Sequence, residues 1–285
     1  MQKLDKRWFD WVEENLGRGC DPKQIFSTLR HKHKFPIPAI KQAMGELFPP
    51  DEDTLLTEVS PSINPVSQVD YAAISKVALT QIQKNSNIKK FKTQKLQLYT
   101  YENFMTEVEC DDVVALINKS LRPSTTTVKN GDTAYRTSST CDMSLVNNPI
   151  ISAVNKKICH SLGVREGYSE RIQGQKYLVG QEFKQHTDYF QPNTPEFKKY
   201  ASERGQRTWT FMVYLNNTEQ GGATRFVNLK HDFFPKKGMA VIWNNLHPDG
   251  SPNADTLHHG MPVEQGEKII ITQWFRDKGQ GEMFV

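Results

Sequence analysis

The first 48 residues place apolar side chains at helical spacing. One stripe predicts an amphipathic helix, and a second helix is expected to begin where Asp21 can cap it and Pro22 can occupy its first turn. The segment "FPIPAIKQAMGELF" predicts a third helix with Ile40, Met44 and Leu47 on one face. The stripe of the first helix consists of Leu4, Trp8, Trp11, Val12 and Leu16. Three short helices of this kind predict a small N-terminal bundle.

A proline-rich stretch separates this bundle from the rest of the chain. Residues 49–69 hold four prolines and few large apolar groups, a composition typical of a linker. The segment "DYAAISKVALTQIQ" then predicts one more helix. The pattern therefore predicts an N-terminal helical domain at residues 1–48, a linker and helix at 49–92, and a larger domain at 93–285.

The larger region begins with helices and continues with strands. Thr106 and Glu109 form the sequence signature of a capping box, and "NPIISAVNKKICHSL" predicts a second amphipathic helix. Beyond residue 168 most segments indicate strands, and "RTWTFMVYLN" alternates with period two and carries bulky residues on both faces. Gly221 and Gly222 predict a tight hairpin turn. This order predicts an α+β fold, an antiparallel sandwich or barrel braced by helices.

Composition narrows the class of protein without deciding its function. The chain has 285 residues, of which 37% are hydrophobic, and a net charge of +4 spread along the sequence, so a nucleic-acid partner gains little support. The four cysteines form no CxxC pair, which predicts buried thiols in a reducing compartment. No secretory signal and no apolar run of membrane-spanning length is present. We expect a soluble cytoplasmic protein without a membrane partner, and the sequence leaves its oligomeric state open.

A candidate metal site begins at His186 and Asp188. Alternate residues of a strand share one face, so both side chains can point at one spot in a barrel mouth. His258, on the lip of a later strand, is a candidate third ligand. Two imidazoles and one carboxylate are the ligand set of non-haem Fe(II) oxygenases. Taken alone, the His-x-Asp pair also fits an ordinary polar strand end.

Lys268 stands at the head of the apolar segment "KIIITQWF". Burying an ammonium group is costly unless the group meets an anion, and a dicarboxylate cosubstrate would supply one. The alternative is a lysine at a solvated strand end. The position of Lys268 shortly after His258 favours the cosubstrate role.

Four segments in fixed order carry a resemblance to a known family. They contain H-x-D, G-G-x-T-x-F, H-x-G-x-P-V and G-x-K elements, and they are "RTSST" at 136–140, "YLVGQEFKQHTDYF" at 177–190, "RTWTFMVYLNNTEQGGATRF" at 207–226 and "WNNLHPDGSPNADTLHHGMPVEQGEKIIITQWF" at 243–275. From about residue 96 to residue 278 the sequence resembles the prolyl 4-hydroxylase branch of the Fe(II)/2-oxoglutarate-dependent dioxygenases. The resemblance implies a double-stranded β-helix, or jelly-roll, core. It also implies a hydroxylase that uses Fe(II), 2-oxoglutarate and O2, with ascorbate keeping the iron reduced.

The resemblance also implies roles for individual residues. Lys268 would bind the far carboxylate of 2-oxoglutarate, and Tyr177 would form a hydrogen bond with the same cosubstrate. The implied iron ligands are His186, Asp188 and His258. The family's second histidine stands two residues before a glycine, which selects His258 over His259.

Further residues match positions near the cosubstrate or the substrate. Thr224 is expected to face the cosubstrate, and a role in β-propensity alone is an equal alternative. Arg136, Ser138 and Trp274 match family positions near a bound peptide, and packing at the barrel mouth is their alternative. The polar segment 189–206 is interpreted as a lid over the substrate or as a disordered insertion.

The favoured function is therefore prolyl 4-hydroxylation of a peptide or protein. One alternative keeps the chemistry and changes the substrate to a free amino acid, another residue type or a small metabolite. An alternative from another class is a non-catalytic binding module on a jelly-roll scaffold. The N-terminal helices lie outside the resemblance, and their role stays open.

Overall fold

The computed structural model describes residues 4, 6–17, 20–33, 35–49, 69–124, 135–143 and 148–285. The chain divides into two compact units. One comprises Met1–Gln68 with Ser144–Pro149, and the other comprises Val69–Met143 with Ile150–Val285. The larger unit carries every candidate site residue that the sequence singles out.

The smaller unit is helical, as predicted. Its helices are α1 (Lys6–Gly17), α2 (Pro22–Ser27) and α3 (Ile37–Met44). Asp21 caps α2 by accepting a hydrogen bond from the Lys23 N–H at 3.0 Å. The buried core of the unit includes Val12, Ile25, Phe26, Leu29, Phe35, Ile40 and Met44. The expectation for Leu47 was wrong: α3 ends at Met44, Gly45 turns the chain at a φ of 56°, and Leu47 is exposed.

The remaining described α-helices lie beyond residue 69. They are α4 (Tyr71–Gln83), α5 (Glu107–Asn118), α6 (Pro149–Leu162) and α7 (Pro195–Tyr200). The predicted capping box is present at the start of α5, where Thr106 and Glu109 each bond to the backbone N–H of the other. None of the described helices combines the length and the hydropathy needed to span a bilayer.

Antiparallel sheets form the centre of the larger unit. The eight-stranded sheet has the spatial order β1 (Ile88–Lys90), β2 (Leu98–Tyr101), β11 (Ala240–Asn244), β7 (Arg207–Tyr214), β14 (Lys268–Arg276), β5 (Gln173–Tyr177), β4 (Ser139–Asp142), β3 (Arg122–Pro123). The four-stranded sheet has the order β10 (His231–Phe233), β9 (Thr224–Phe226), β12 (His258–Gly260), β6 (Phe183–His186). A two-stranded sheet consists of β13 (Val263–Gln265) and β8 (Gln220–Gly221).

The two faces of the eight-stranded sheet bury different partners. Successive side chains of a strand point to opposite faces, so Trp209, Phe211 and Val213 of β7 pack with α5 and α6 in one core cluster. Met212 and Tyr214 point the other way and pack with residues of the four-stranded sheet, including Phe226. Both faces of β7 are thus buried, as its run of bulky residues predicts. The helices cover one face of the sheet, and the other face lines the interior between the sheets.

The two glycines expected in a tight hairpin turn take another conformation. Gly221 and Gly222 both have positive φ, at 75° and 67°. Gly221 lies in β8, which pairs with β13 and not with the following strand. A Cβ at Gly221 would lie 2.5 Å from the Pro262 carbonyl oxygen, so glycine is required here by close backbone contact as well as by φ. The hairpin expectation was therefore wrong, although positive φ is present at both positions.

The α+β prediction is confirmed, because helices pack on one face of a fold built from antiparallel sheets. The predicted domain limits of 1–48, 49–92 and 93–285 stay predictions. In the structure α4 and β1, which fall within 49–92, belong to the larger unit. Most of the predicted linker lies outside the described residues. All four cysteines are buried thiols, as expected.

Candidate metal and cosubstrate site

His186 and His258 are brought together by strand pairing. His186 is the last residue of β6 and His258 is the first residue of β12, and the two are direct cross-strand partners. Their ring centroids are 4.2 Å apart. Asp188 follows β6 by two residues and is buried, with its Oδ1 3.9 Å from His186 Nε2. Potential ligand atoms of all three residues lie within 4.8 Å of one another.

The backbone orients both imidazole rings. His186 Nδ1 lies 2.7 Å from the Lys184 carbonyl oxygen, and His258 Nδ1 lies 2.9 Å from the Thr256 carbonyl oxygen. A carbonyl oxygen only accepts hydrogen bonds, so Nδ1 of each ring carries the proton. In the neutral form of each ring the lone pair is then on Nε2, which is the arrangement that a metal-binding histidine needs.

The charge states of the cluster also suit a cation. Burial and the neighbouring His258 lower the pKa of His186 well below its ordinary value, so its imidazole is neutral near pH 7. Burial alone would raise the pKa of Asp188, but the nearby His258, His186 and Arg207 hold it below the ordinary value. The cluster thus presents two imidazole nitrogens and one carboxylate, a set that suits Fe(II).

Lys268 lies in the same pocket as the cluster. It is the first residue of β14, pairs with Tyr177 across the sheet and is only 1% exposed. Its Nζ lies 5.1 Å from the centre of the Tyr177 ring and 5.8 Å from that of Tyr214. Burial lowers the pKa of Lys268 to about 7, and no carboxylate among the described residues opposes this effect. A dicarboxylate ligand would supply the counter-charge that the described residues do not give to this buried amine.

Tyr177 and Thr224 also line the pocket. The Tyr177 hydroxyl donates a hydrogen bond of 2.8 Å to Gln175 Oε1, and burial raises the pKa of this tyrosine. Thr224 is the first residue of β9, and its Oγ1 lies 2.8 Å from the Tyr214 hydroxyl. The structure therefore places both predicted cosubstrate residues at the pocket wall.

Two of the three residues predicted near a substrate line the pocket. Arg136 stacks its guanidinium 4.7 Å from the centre of the Phe183 ring and donates to Gln173 Oε1 at 3.0 Å. Trp274 lies on the same face of β14 as Lys268 and stacks against Arg207 at 4.0 Å. Ser138 is buried beside Arg136, 3.4 Å from its Nε, and the pocket lining does not extend to it.

His259 points away from the cluster and has another partner. Its Nε2 lies 2.7 Å from Glu182 Oε2. Adjacent residues of a strand face opposite sides, so only one of the two consecutive histidines can meet His186. Of the pair, His258 is the one that the structure brings to the cluster.

The polar segment 189–206 is folded. Thr194 caps α7 through a hydrogen bond from the Phe197 N–H, and Pro195 occupies the first turn. Gln206 anchors the base of the segment, because its side chain bonds to both the N–H and the carbonyl of Phe190 at 2.7 Å each. The disordered alternative is wrong for this segment, and its role as a lid stays a prediction.

The sequence interpretation missed several pocket residues. Gln175 donates to Thr272 at 3.3 Å across β5 and β14, and both line the pocket with Met212 and Trp243. A usable signal was present, because Gln175 stands two positions before Tyr177 and Thr272 four positions after Lys268. Residues at even spacing along a strand share a face.

Comparison with known proteins agrees with this geometry. Residues 172–276 match the profile of the 2OG-Fe(II) oxygenase superfamily. The chain is 33% identical over 207 residues to "Probable prolyl 4-hydroxylase 4" of Arabidopsis thaliana, an alignment that covers 64% of this chain and 68% of that protein. It is 30% identical over 193 residues to human "Prolyl 4-hydroxylase subunit alpha-1", covering 65% of this chain and 35% of that subunit.

A solved structure supports the same assignment. The viral collagen prolyl hydroxylase of Paramecium bursaria Chlorella virus-1, in its 2OG complex, superimposes with a TM-score of 0.51 and 28% identity, covering 63% of this chain and 95% of that chain. The fold is thus a jelly-roll core with helices, as predicted. The chain belongs to the 2OG-Fe(II) oxygenases, in the prolyl 4-hydroxylase branch. The predicted family and enzyme class, a 2-oxoglutarate-dependent dioxygenase, are confirmed.

The site fits the two cofactors that this family uses. The donor set of two imidazoles and a carboxylate suits Fe(II) and not structural zinc, which favours thiolates. The isolated ammonium of Lys268 suits a carboxylate of 2-oxoglutarate. Use of Fe(II) and 2-oxoglutarate follows from the family together with this cluster.

Proposed function

We propose that this protein hydroxylates prolyl residues of a peptide or protein, with His186, Asp188 and His258 as iron ligands and Lys268 as the anchor of 2-oxoglutarate. The observation that carries the proposal is the pairing, within one pocket, of a buried His/Asp/His cluster with a buried lysine that no carboxylate among the described residues neutralises.

The chain's own residues position the reactants. Lys268 would attract the far carboxylate of 2-oxoglutarate, and Tyr177 and Thr224 would contact the cosubstrate from the pocket wall. The apolar lining, with Met212, Trp243 and Ile270, would keep water from the reacting centre. When bound, iron supplies O2 activation, in which 2-oxoglutarate is oxidised to succinate and CO2 and one oxygen atom enters a substrate C–H bond.

A prolyl substrate is supported by the relatives. The plant and human relatives are named prolyl 4-hydroxylases, and the viral structure is a collagen prolyl hydroxylase. Arg136 and Trp274 line the pocket and would contact the peptide, with Ser138 supporting Arg136 from behind. We also propose that ascorbate sustains turnover and that the protein acts in the cytoplasm.

The test is a mass-spectrometric assay on proline-rich peptides. The iron-loaded protein is incubated with each peptide and 2-oxoglutarate, and peptide mass and succinate are measured. A mass gain of one oxygen atom on proline, with equimolar succinate, is expected. Asp188→Ala is the matched control and should yield neither product. Succinate without any hydroxylated peptide, together with hydroxylation of free amino acids, would contradict the peptide assignment. Absence of succinate from the loaded wild-type protein would contradict the enzyme assignment.

A further inference from the structure

A chain of three buried polar side chains ends on Asp188. The Trp243 Nε1–H donates to Asn245 Oδ1 at 3.0 Å, and Asn245 Nδ2 donates to Thr210 Oγ1 at 2.8 Å. The Thr210 hydroxyl then donates to Asp188 Oδ2 at 2.8 Å. Trp243, Asn245 and Thr210 are each no more than 1% exposed. The three side chains are therefore shielded from bulk water.

The direction of this chain follows from the chemistry of its first member. An indole N–H can only donate, so the carbonyl oxygen of the Asn245 amide must face Trp243. The amide nitrogen must then face Thr210, whose hydroxyl accepts that bond. The hydroxyl proton has one acceptor left, Asp188 Oδ2, because an ionised carboxylate can only accept. Each bond thus fixes the orientation of the next.

The backbone holds this chain in place. Trp243 of β11 and Thr210 of β7 are direct cross-strand partners. Asn245 follows β11, and its own N–H donates to the Thr208 carbonyl at 2.6 Å. The polar side chains therefore sit on paired strands of the larger sheet, while the carboxylate that they reach belongs to the turn after β6.

We propose that Thr210 is a positioning residue for the metal site: held by Asn245 and Trp243, it donates to Asp188 Oδ2 and so keeps Asp188 Oδ1 turned toward the two histidines. This inference rests on the proposed iron ligands. Oδ1 is the atom that faces His186 Nε2, at 3.9 Å. Outer hydrogen bonds of this kind fix the orientation of metal ligands.

The same chain reaches a second proposed ligand through packing. The Trp243 ring meets the His258 ring edge to face, with centroids 5.0 Å apart. Rotation of the indole would break its bond to Asn245 and change this contact. The chain thus couples the orientation of Asp188 to that of His258, although the two residues lie seventy positions apart in the sequence.

A purely structural role for the chain makes a different prediction. If these side chains only satisfy one another's hydrogen bonds, their loss would lower the stability of the fold and leave the metal site unchanged. Metal affinity must therefore be measured at a temperature where every variant is folded. The metal-free melting temperature reports the structural contribution separately.

The first experiment compares three variants by titration of the metal-free protein with Co²⁺, followed by visible absorption. Thr210→Val keeps the volume of the side chain and removes its hydroxyl, and Thr210→Ser restores a hydroxyl. Thr208→Val is the matched control: Thr208 is buried on the same face of β7, but its hydroxyl donates to the Phe275 carbonyl at 3.2 Å.

We expect Thr210→Val to weaken Co²⁺ binding by roughly 10- to 100-fold, because Asp188 loses the hydrogen bond that orients it, and to shift the absorption bands, because the carboxylate can then turn relative to the metal. Thr210→Ser should keep the wild-type spectrum, and Thr208→Val should bind as the wild type does. Equal affinity and an unchanged spectrum in folded Thr210→Val would overturn the inference. An equal loss in Thr208→Val would overturn it too, since the effect would then belong to the strand in general.

The second experiment tests the coupling along the chain. Asn245→Leu keeps the approximate size of the side chain and removes the amide that bonds the Thr210 hydroxyl, so Co²⁺ binding should weaken by less than in Thr210→Val. In the Thr210→Val background the same change should add no further loss, because the last bond to Asp188 is already absent. Additive losses would overturn the proposed relay.

The two experiments also separate this inference from the proposed function. If wild-type protein bound no Co²⁺, the proposed metal site would fail and this inference with it. If wild-type protein bound Co²⁺ and Thr210→Val bound it equally well with the same spectrum, only the role of Thr210 would fail.

Discussion

The two ends of the pocket are built in opposite ways. At the end with His186, Asp188 and His258, each side chain has a hydrogen-bond partner that fixes its orientation. At the other end Lys268 meets two aromatic rings and no carboxylate among the described residues. The side chains of the metal end are thus already oriented for binding, whereas the lysine would be neutralised only by a bound ligand.

This difference follows from the chemistry that each end would serve. A metal ion gains affinity from ligands that are already oriented, because no orientation has to be lost on binding. A buried ammonium with its own carboxylate would have to give that partner up before it could bind another. Lys268 carries the opposite cost, since its burial disfavours the charged form until an anion arrives.

The largest effect is expected at the metal end. Asp188→Ala removes the only carboxylate of the cluster, and 2-oxoglutarate turnover should fall by about 10³-fold or more, since a metal ion contributes several kcal/mol to the reaction. Succinate release measures this. His259→Ala is the matched control, because His259 bonds to Glu182 outside the cluster, and its turnover should stay within a few-fold of wild type. Substantial succinate from a folded Asp188→Ala protein would contradict the ligand assignment.

Removal of the charge at the lysine end should affect cosubstrate binding and leave metal binding unchanged. Lys268→Met keeps the length of the side chain and should raise the KM for 2-oxoglutarate by roughly 10- to 100-fold, which is the worth of a charged hydrogen bond. Co²⁺ affinity should not change, because the metal end is complete without the lysine. The metal-free variant should also melt at a higher temperature, since an uncompensated buried cation is gone. A large loss of Co²⁺ affinity would show that the two ends are not independent.

The sequence predicted the residues of the site better than the contacts between them. Period-two alternation identified β7, the apolar segment "KIIITQWF" indicated β14, and the H-x-D and H-x-G elements marked the residues that the structure brings together. The pairing of His186 with His258 could not be read from either segment, because register between strands far apart in sequence is set by tertiary packing. Thr210 was missed for another reason, because a threonine in a strand is equally explained by β-propensity.

Local signals were used unevenly as well. Asp21 followed by Pro22 was interpreted as a helix start, and the structure has α2 there. Thr194 followed by Pro195 has the same form and does begin α7, but the surrounding polar residues favoured an interpretation as a lid or a disordered insertion. Leu47 shows the reverse error, because a helical stripe was extended past a glycine that ends the helix.

Binding at the lysine end should depend on pH through the ionisation of Lys268. Burial lowers the pKa of Lys268 to about 7, and a bound carboxylate would raise it again. At saturating Co²⁺, 2-oxoglutarate affinity should therefore fall as pH rises from about 6.5 to about 8.5, by up to roughly tenfold per unit above pH 7. Isothermal titration calorimetry in buffers of different ionisation enthalpy should detect proton uptake on binding.

The lowered pKa of Lys268 should make the ligand-free protein more stable as pH rises, whereas it makes 2-oxoglutarate binding weaker. Between about pH 7 and about pH 10 the unfolded chain holds a proton on this lysine that the folded chain has lost, so the free energy of unfolding should rise with pH across this window. Lys268→Met should lose both the proton uptake and this contribution. Identical pH profiles for wild type and Lys268→Met would rule out a shifted Lys268 as the cause.

The smallest effect is expected from the hydroxyl of Tyr177. This hydroxyl donates to Gln175 Oε1, and it can donate to 2-oxoglutarate only by leaving that partner. Exchange of one hydrogen bond for another gives little net gain, so Tyr177→Phe should raise the KM for 2-oxoglutarate by only about two- to fivefold. Gln175→Met is the informative partner variant, because it frees the Tyr177 hydroxyl before binding. Its KM should be equal to or lower than that of wild type, and a rise matching that of Tyr177→Phe would mean that Gln175, rather than the tyrosine, contacts the cosubstrate.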